Sequence, residues 1–559
     1  MSSKKEASLE IPDNYKDIES FDVRHLPIIR AFCDKIGISH IIERALDTRM
    51  ECSPGKIVTG LILDTLAGRN PLYRVRDFFS HQDTELVVGE GMKASFFSDD
   101  TIARVLDRIF DYGTQKLFSE ISLKAVKEFN IDTAQIHHDT TSVSVWGDYI
   151  NSEEGPIEII NGYSKDKRPD LKQFIFSLLC AEKDIPIAAK IYSGNTDDKT
   201  ISKNILGRIS KYMAAYTTNQ EGFVFVADSA LVARENLKVM GATNDSQKIK
   251  FISRMPATFN IVAALIKEAV AKNTWDDIGK CSEQKKSAHY KSYECNTEID
   301  DKAYRTVVFH SDFYDARKLK RIASEIEKDK KEAEKIQKKL TQTEFFCRKD
   351  AETQVGKEKA LKYHKLKWDC QEKKIYGRGR PKNGEKEVSE LRYILNVGIA
   401  LDDKLIEELK EQAGCFVLIS NISEDKYSAT EILKIYKEQY GIEKNFGFLK
   451  DPLIVNDLFL KKPERIEALG FILVLSLLVW RLIERCTRKY IKEKNITITG
   501  WDKKQTKSPT TFMMTTKFCS MHVLRLGSKR WLSRKIDSTQ KEYLKALGLR
   551  EEIFYEVAS

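Results

Sequence analysis

The chain has 559 residues, 42% hydrophobic and 10% aromatic, enough apolar material for several packed cores and too much for a disordered chain. Its formal charge of +10, from 93 basic and 83 acidic residues, permits a polyanionic partner without requiring one, because mixed charge is the ordinary state of a surface. The 10 cysteines are scattered and form no C-x-x-C pair. That speaks against a zinc ribbon, and with no secretory apolar core at the start it leads us to expect reduced thiols and a cytoplasmic compartment.

Taken in chain order, residues 1–25 are polar and expected to be loose. From 26 to 130 the segments IIRAFCDKIGISHIIERAL, GKIVTGLILDTLAG and SDDTIARVLDRIF repeat apolar residues every three or four positions, and Ser98 offers an N-cap to the third. An all-helical region is expected. The period then changes. Residues 134–146 (AQIHHDTTSVSVW), 173–180 (QFIFSLLC) and 186–192 (PIAAKIY) are β-branched or alternating and read as strands. A helix over 199–216, a wholly apolar strand at 222–227 (GFVFVA), a helix over 232–239 and a strand at 248–253 follow. Strand, strand, strand, helix, strand, helix, strand is the pattern of an α/β core with a mixed sheet, placed over 131–257.

Residues 258–427 break that order. The segments YRTVVFH, LRYILNVGI and GCFVLIS predict a separate β-rich unit. Within it a charged stretch over about 315–375 reads as a helical arm. Leu319, Ile322, Ile326, Ala333, Ile336 and Leu340 keep a three-four spacing, interrupted at Asp329. A helix is expected over 428–455, opened by the capping box S-A-T-E at Ser428. The remainder, 456–559, reads as mostly helical. Its apolar run at 469–480 is shorter than the roughly 20 residues of a bilayer span, so a buried core helix is expected and no membrane partner.

Phosphodiester chemistry with two Mg²⁺ needs hard oxygen ligands gathered in one place. Asp139 lies inside the first core strand, where a lone carboxylate is costly to bury. Asp228 directly follows GFVFVA, at the carboxyl edge where ligand crevices form in α/β sheets. Tyr436, Gln439, Glu443 and Lys450 are spaced three, four and seven apart on one helical stripe, which serves equally as a charged face or as a wall of a metal-phosphate site.

With these residues the sequence resembles insertion-sequence transposases of the DDE group, whose late helix carries Y-x-x-R-x-x-x-E-x-x-x-x-x-x-K. Here the motif reads Tyr436, Gln439, Glu443 and Lys450, with glutamine in place of the usual arginine. HHDTTSVSVWGDY, GYSKDKRPDLKQ, ADSALVAREN and SDDTIARVLDRIF resemble, in order, further blocks of the 1634-like branch. The resemblance implies a ribonuclease-H-like mixed-sheet core interrupted by the β-rich insertion and flanked by helical N- and C-terminal regions. It implies Asp139, Asp228 and Glu443 as catalytic metal ligands holding two Mg²⁺, with Mn²⁺ as a substitute. The 26–130 region is then a DNA-end-binding domain. The partners implied are terminal inverted repeats and target DNA, handled by a homodimer in the cytoplasm of a prokaryote.

Further DNA contacts are expected around that site. Lys165, Lys167, Arg168 and Lys172 form a basic stretch soon after the first acidic strand. Arg378 and Arg380 lie in KKIYGRGRPK, similar to an R-G-R-P minor-groove segment. Tyr436, Gln439 and Lys450 complete the set. His137 and His138 are expected to be packed or solvent-facing, and Trp146 to pack in the core. Against cut-and-paste transposition stand two alternatives: a domesticated DNA-binding protein, and a metal-dependent nuclease on the same core.

Overall fold

A computed structural model describes residues 17–46, 50–147, 149, 155–216, 222–241, 249–281, 287–313, 316–376, 388–451 and 460–557. The chain divides into two units, Met1–Ser253 with Ile435–Ser559, and Arg254–Lys434.

The first unit opens with strand β1 (Glu19–Asp22) and helices α1 (Leu26–Ile36), α2 (Ile38–Leu46), α3 (Pro54–Leu66), α4 (Val75–Ser80), α5 (Thr84–Val88), α6 (Asp99–Tyr112) and α7 (Thr114–Phe129). The expected cap is present: the Ser98 hydroxyl accepts the Thr101 N–H at 3.3 Å and starts α6. Gly37, at φ 77°, ends α1 in the left-handed conformation that a side chain disfavours.

The α/β core follows as β2 (Gln135–Val145), β3 (Lys172–Ala181), β4 (Ile185–Ser193), α8 (Asp198–Met213), β5 (Val224–Ala227), α9 (Arg234–Met240) and β6 (Lys250–Arg254). The chain order of strands and helices matches the sequence expectation. In space the strands lie β4-β3-β2-β5-β6. β4, β3 and β2 pair antiparallel, while β2, β5 and β6 run parallel. This mixed α/β sheet is consistent with a ribonuclease-H-like core. All four residues of β5 are buried, as a central parallel strand requires.

The second unit holds α10 (Asn260–Lys272), β7 (Asp276–Lys280), β8 (His289–Ile299), β9 (Lys302–Ser311), α11 (Ala316–Gln342), β10 (Glu344–Phe345), α12 (Arg348–Lys357), β11 (His364–Tyr376), β12 (Val388–Leu401), α13 (Asp403–Ala413) and β13 (Cys415–Ser420). β13, β9, β8 and β7 pair antiparallel in that order. β10, β12 and β11 form a second sheet, and α11 packs Ile336 and Leu340 onto Leu395 and Val397 of β12. The charged helical arm expected over about 315–375 is only partly helical. α11 ends at Gln342, and 364–376 is a strand. Asp329 explains the interruption in its apolar seam: its carboxylate accepts the N–H groups of Lys362, Tyr363 and His364 at 2.8–3.0 Å and anchors the start of β11.

Helix α14 (Ala429–Lys437) carries the chain back, opened by the expected capping box. The Ser428 N–H donates to Glu431 Oε2 at 2.8 Å, and the Glu431 N–H to Ser428 Oγ at 3.3 Å. The single helix expected through Lys450 is instead divided, with α15 spanning Tyr440–Leu449.

The rest of the first unit comprises α16 (Pro463–Lys494), β14 (Ile498–Thr499), β15 (Gln505–Thr506), α17 (Thr511–Lys517), β16 (His522–Leu526), β17 (Lys529–Leu532) and α18 (Ser538–Leu547). α16 has the length and apolarity to cross a membrane, but 89% of its most apolar stretch is buried. It packs against α3, α6, α7, β4 and α18, so it is the core helix of this unit. The C-terminal region is less helical than expected. β16 pairs with both β17 and the N-terminal β1, and Arg530 closes this junction on the buried Asp83 at 2.7 Å.

Candidate active site

β2 and β5 run parallel with His138 opposite Ala227. One step further along each strand stand Asp139 and Asp228. Side chains alternate along a strand, so neighbours in register share a face of the sheet. The ladder ends there, because β5 gives way to a turn at Ser229–Leu231. Asp228 caps that turn by accepting the Ala230 N–H at 3.0 Å, and its carbonyl accepts the Ser253 hydroxyl at 2.7 Å. The pairing of β2 with β5 ends at His138 and Ala227, so both acids stand at the carboxyl end of that ladder.

Both carboxylates are half-buried and their electrostatics agree. Burial pushes Asp139 up to about 7; Lys165 opposes the shift, and the charge of Asp228 adds to it. Burial likewise raises Asp228, opposed by the Ala230 N–H and Lys165 and reinforced by Asp198.

At the same edge Lys165 Nζ donates to the Thr140 carbonyl at 2.7 Å and to its hydroxyl at 2.8 Å. The Thr140 hydroxyl donates to Asp198 Oδ1 at 2.6 Å, and Lys165 lies 3.5 Å from Asp198 Oδ2. Asp198 was not singled out in the sequence, where it directly precedes the helix expected over 199–216; it is the first residue of α8. Asp197 caps that helix, accepting the N–H groups of Lys199 and Thr200.

Helix α15 packs on β2. The buried Gln439 amide donates to the His138 carbonyl at 3.4 Å. Asn445 Nδ2 donates to the Asp184 carbonyl at 2.8 Å while its Oδ1 accepts from Arg481 of α16 at 2.7 Å. Gly441 rests on Lys183, where a Cβ would meet the carbonyl oxygen at 2.8 Å. Glu443 lies one turn after Gln439 and is exposed. The structure thus brings Asp139 and Asp228 together and carries Glu443 on the helix docked against their strand. Among the described residues no three His, Cys, Asp or Glu side chains converge closely enough to hold a metal.

The donor set still fits a hard divalent cation in part. Mg²⁺ is held by one or two carboxylates and completes its shell with water and phosphate oxygens, and Asp139 and Asp228 supply the two. Burial depresses the neighbouring imidazoles, His137 to about 4, with Lys183 adding, and His138 to about 3. His138 bonds Ser177 Oγ at 3.1 Å, whereas His137 is fully buried with neither ring nitrogen bonded.

The expected DNA-contact residues fall into three groups. Lys165 stands at the carboxylate edge as described, and Lys167 is exposed. Arg168 pairs with Asp170 at 2.6 Å and lies 5.0 Å over the ring of Trp146, which is 64% exposed and not in the core as expected. Lys172 begins β3, Tyr436 is half-buried in α14, and Lys450 pairs with Asp166 at 2.6 Å. Arg378 and Arg380, with the R-G-R-P segment, lie outside the described residues.

Residues 138–479 match the family described as transposase DDE domain, well over half of the chain. The chain belongs to the DDE transposase domain family. Asp139, Asp228 and Glu443, the acids expected from the sequence, lie inside the matched region of this DDE transposase. Residues 18–123, which cover its N-terminal helices, match a domain of unknown function, DUF4277. No curated protein matches the chain.

Proposed function

We propose that this DDE transposase binds the terminal inverted repeats of its own mobile element, hydrolyses the phosphodiester at each end and joins the freed 3′-hydroxyl to target DNA. The observation that supports this reading best is that Asp139 and Asp228 each follow directly on the paired residues His138 and Ala227, at the carboxyl end of β5, and are each held back from ionising by burial and by neighbouring acids. In this proposal Asp139, Asp228 and Glu443 hold two divalent cations, Mg²⁺ or in its place Mn²⁺. When bound, these would stabilise developing charge on the attacking and leaving oxygens. The gathering of Glu443 with the aspartates belongs to the complex with DNA.

The basic residues position the strand. Lys450 and Arg168 each sit on a nearby carboxylate, Asp166 and Asp170, and exchange it for a backbone phosphate, a stronger charge-assisted acceptor. Lys165 stands beside the carboxylates, and Lys167 and Lys172 contact the strand further from them in this proposal. Gln439 holds the start of α15 against β2, and Tyr436 adds a further DNA contact in this proposal. Residues 26–130 supply end recognition, and a homodimer brings two ends together. The R-G-R-P segment with Arg378 and Arg380 adds a minor-groove contact.

The test is cleavage of a labelled duplex carrying the element's own termini. The wild type releases 3′-hydroxyl ends only with Mg²⁺ or Mn²⁺. Asp139→Asn, Asp228→Asn and Glu443→Gln each slow release by more than about a hundredfold while leaving end binding intact. Cutting by Glu443→Gln at the wild-type rate removes Glu443 from the site. Cutting by both aspartate variants removes the site itself.

A further inference from the structure

On the other face of the core sheet from Asp139, between α7, β4 and α8, lies a cavity of about 210 Å³. Its floor is Ser177 and Leu179 of β3 with Ala188 and Ala189 of β4, small side chains that leave the space open. Ile205 and Ile209 of α8 form the apolar roof. A second, wider cleft of about 580 Å³ shares Ser119, Arg208 and Tyr212 with it and continues between α7 and α8 past Lys116 and Lys211.

The charges lining this space are unbalanced. Lys190 projects into the cavity from an edge strand, half-buried, with its ammonium 4.6 Å from the Tyr192 ring. Burial lowers its proton affinity and the charge of Arg208 lowers it further. Among the described residues no ion pair or hydrogen bond engages the Lys190 ammonium or the Arg208 guanidinium. The nearest acid in electrostatic reach of Lys190 is Glu467, already bonded by the Thr114 hydroxyl at 2.5 Å. Along the wider cleft the one acid is Glu120, held by the Tyr112 hydroxyl at 2.6 Å. The hydroxyls at the far end satisfy one another: Tyr212 donates to the Ile187 carbonyl at 2.6 Å and bonds Tyr216 at 2.7 Å. Two like charges over an apolar floor, neither of them in an ion pair among the described residues, make a receptor for an anion that carries an apolar body.

We propose that this cavity binds a nucleoside phosphate, with the phosphate between Lys190 and Arg208 and the base and sugar over Leu179, Ala188 and Ile205. The same chemistry is offered by a free nucleotide and by the phosphorylated end of an unpaired strand. The proposal is independent of the carboxylate site and stands whether or not that site cuts DNA.

Isothermal titration of the full chain with thymidine 5′-monophosphate, thymidine, and a single-stranded octanucleotide with and without a 5′-phosphate tests it. The expected result is saturable one-to-one binding of a phosphorylated probe and at least about tenfold weaker binding of its unphosphorylated counterpart. Lys190→Met and Arg208→Met each weaken that binding by a similar factor, while Lys124→Met, on α7 outside the cleft, leaves it unchanged. Circular dichroism confirms that the variants are folded. Binding of the mononucleotide identifies a free nucleotide as the ligand, and binding of the phosphorylated strand alone identifies a strand end. Absence of saturable binding by any phosphorylated probe at millimolar concentration overturns the proposal, as does wild-type affinity in folded Lys190→Met and Arg208→Met.

Discussion

Burial of Asp139 lowers the stability of the free protein at neutral pH. The proton affinity of this carboxyl is raised, to about 7, chiefly by burial. The native state therefore keeps a proton that the unfolded chain releases, and stability falls as pH rises through the window from ordinary carboxylate values to about 7. Asp139→Asn removes that loss. Thermal unfolding without divalent cations is expected to show Asp139→Asn melting above the wild type at pH 8, with the gap closing towards pH 4. Added Mg²⁺ raises the wild-type midpoint and not that of the variant. A variant less stable than wild type at pH 8 contradicts this cause. At this scale the sequence singled out the two aspartates only as a pair, because either alone reads more readily as a cap or a solvated residue, and Asp228 does cap a turn. Trp146 was misread because its aromatic ring weighs towards a core, while its place at the end of β2 leaves it exposed under Arg168.

Among the elements, α15 matters most because it carries Glu443 past β2. Asn445 fixes it, being fully buried and bonded both to the Asp184 carbonyl and to Arg481. Asn445→Ala leaves that carbonyl and the guanidinium without this partner. It is expected to cost about 1–3 kcal/mol in chemical denaturation and to slow end cleavage without altering the metal requirement. A neutral effect on both would show that α15 is held by its apolar contacts alone. The alternating strands and the three-four helices of the core were legible because each face is distinct in polarity. The arm was legible only in part. Residues 364–376 carry charges on both faces, which hides a two-residue period, and the role of Asp329 depends on backbone groups more than 30 residues away.

For the whole molecule, Arg254–Lys434 is one continuous segment with its own sheets and a core around Ile336, Leu340, Leu395 and Val397. Expressed alone it is expected to unfold cooperatively on heating, with a dispersed amide NMR spectrum; a non-cooperative melt would show that it depends on the rest of the chain. The first unit was harder to read from sequence. Its helices at both ends of the chain pack on α16, and β1 pairs with β16. Pairings across most of the chain leave no local pattern to find. The gathering of three acids from β2, the end of β5 and α15 that we propose for the DNA complex would have the same non-local character, so it calls for a direct measurement. With Fe²⁺ in place of Mg²⁺ on the protein bound to its terminal DNA, peroxide and ascorbate cleave the backbone beside the bound metal. Fragments ending near residues 139, 228 and 443 together, suppressed by excess Mg²⁺, are the expected result. Cuts confined to other segments, or at 139 and 228 without 443, would contradict a shared site.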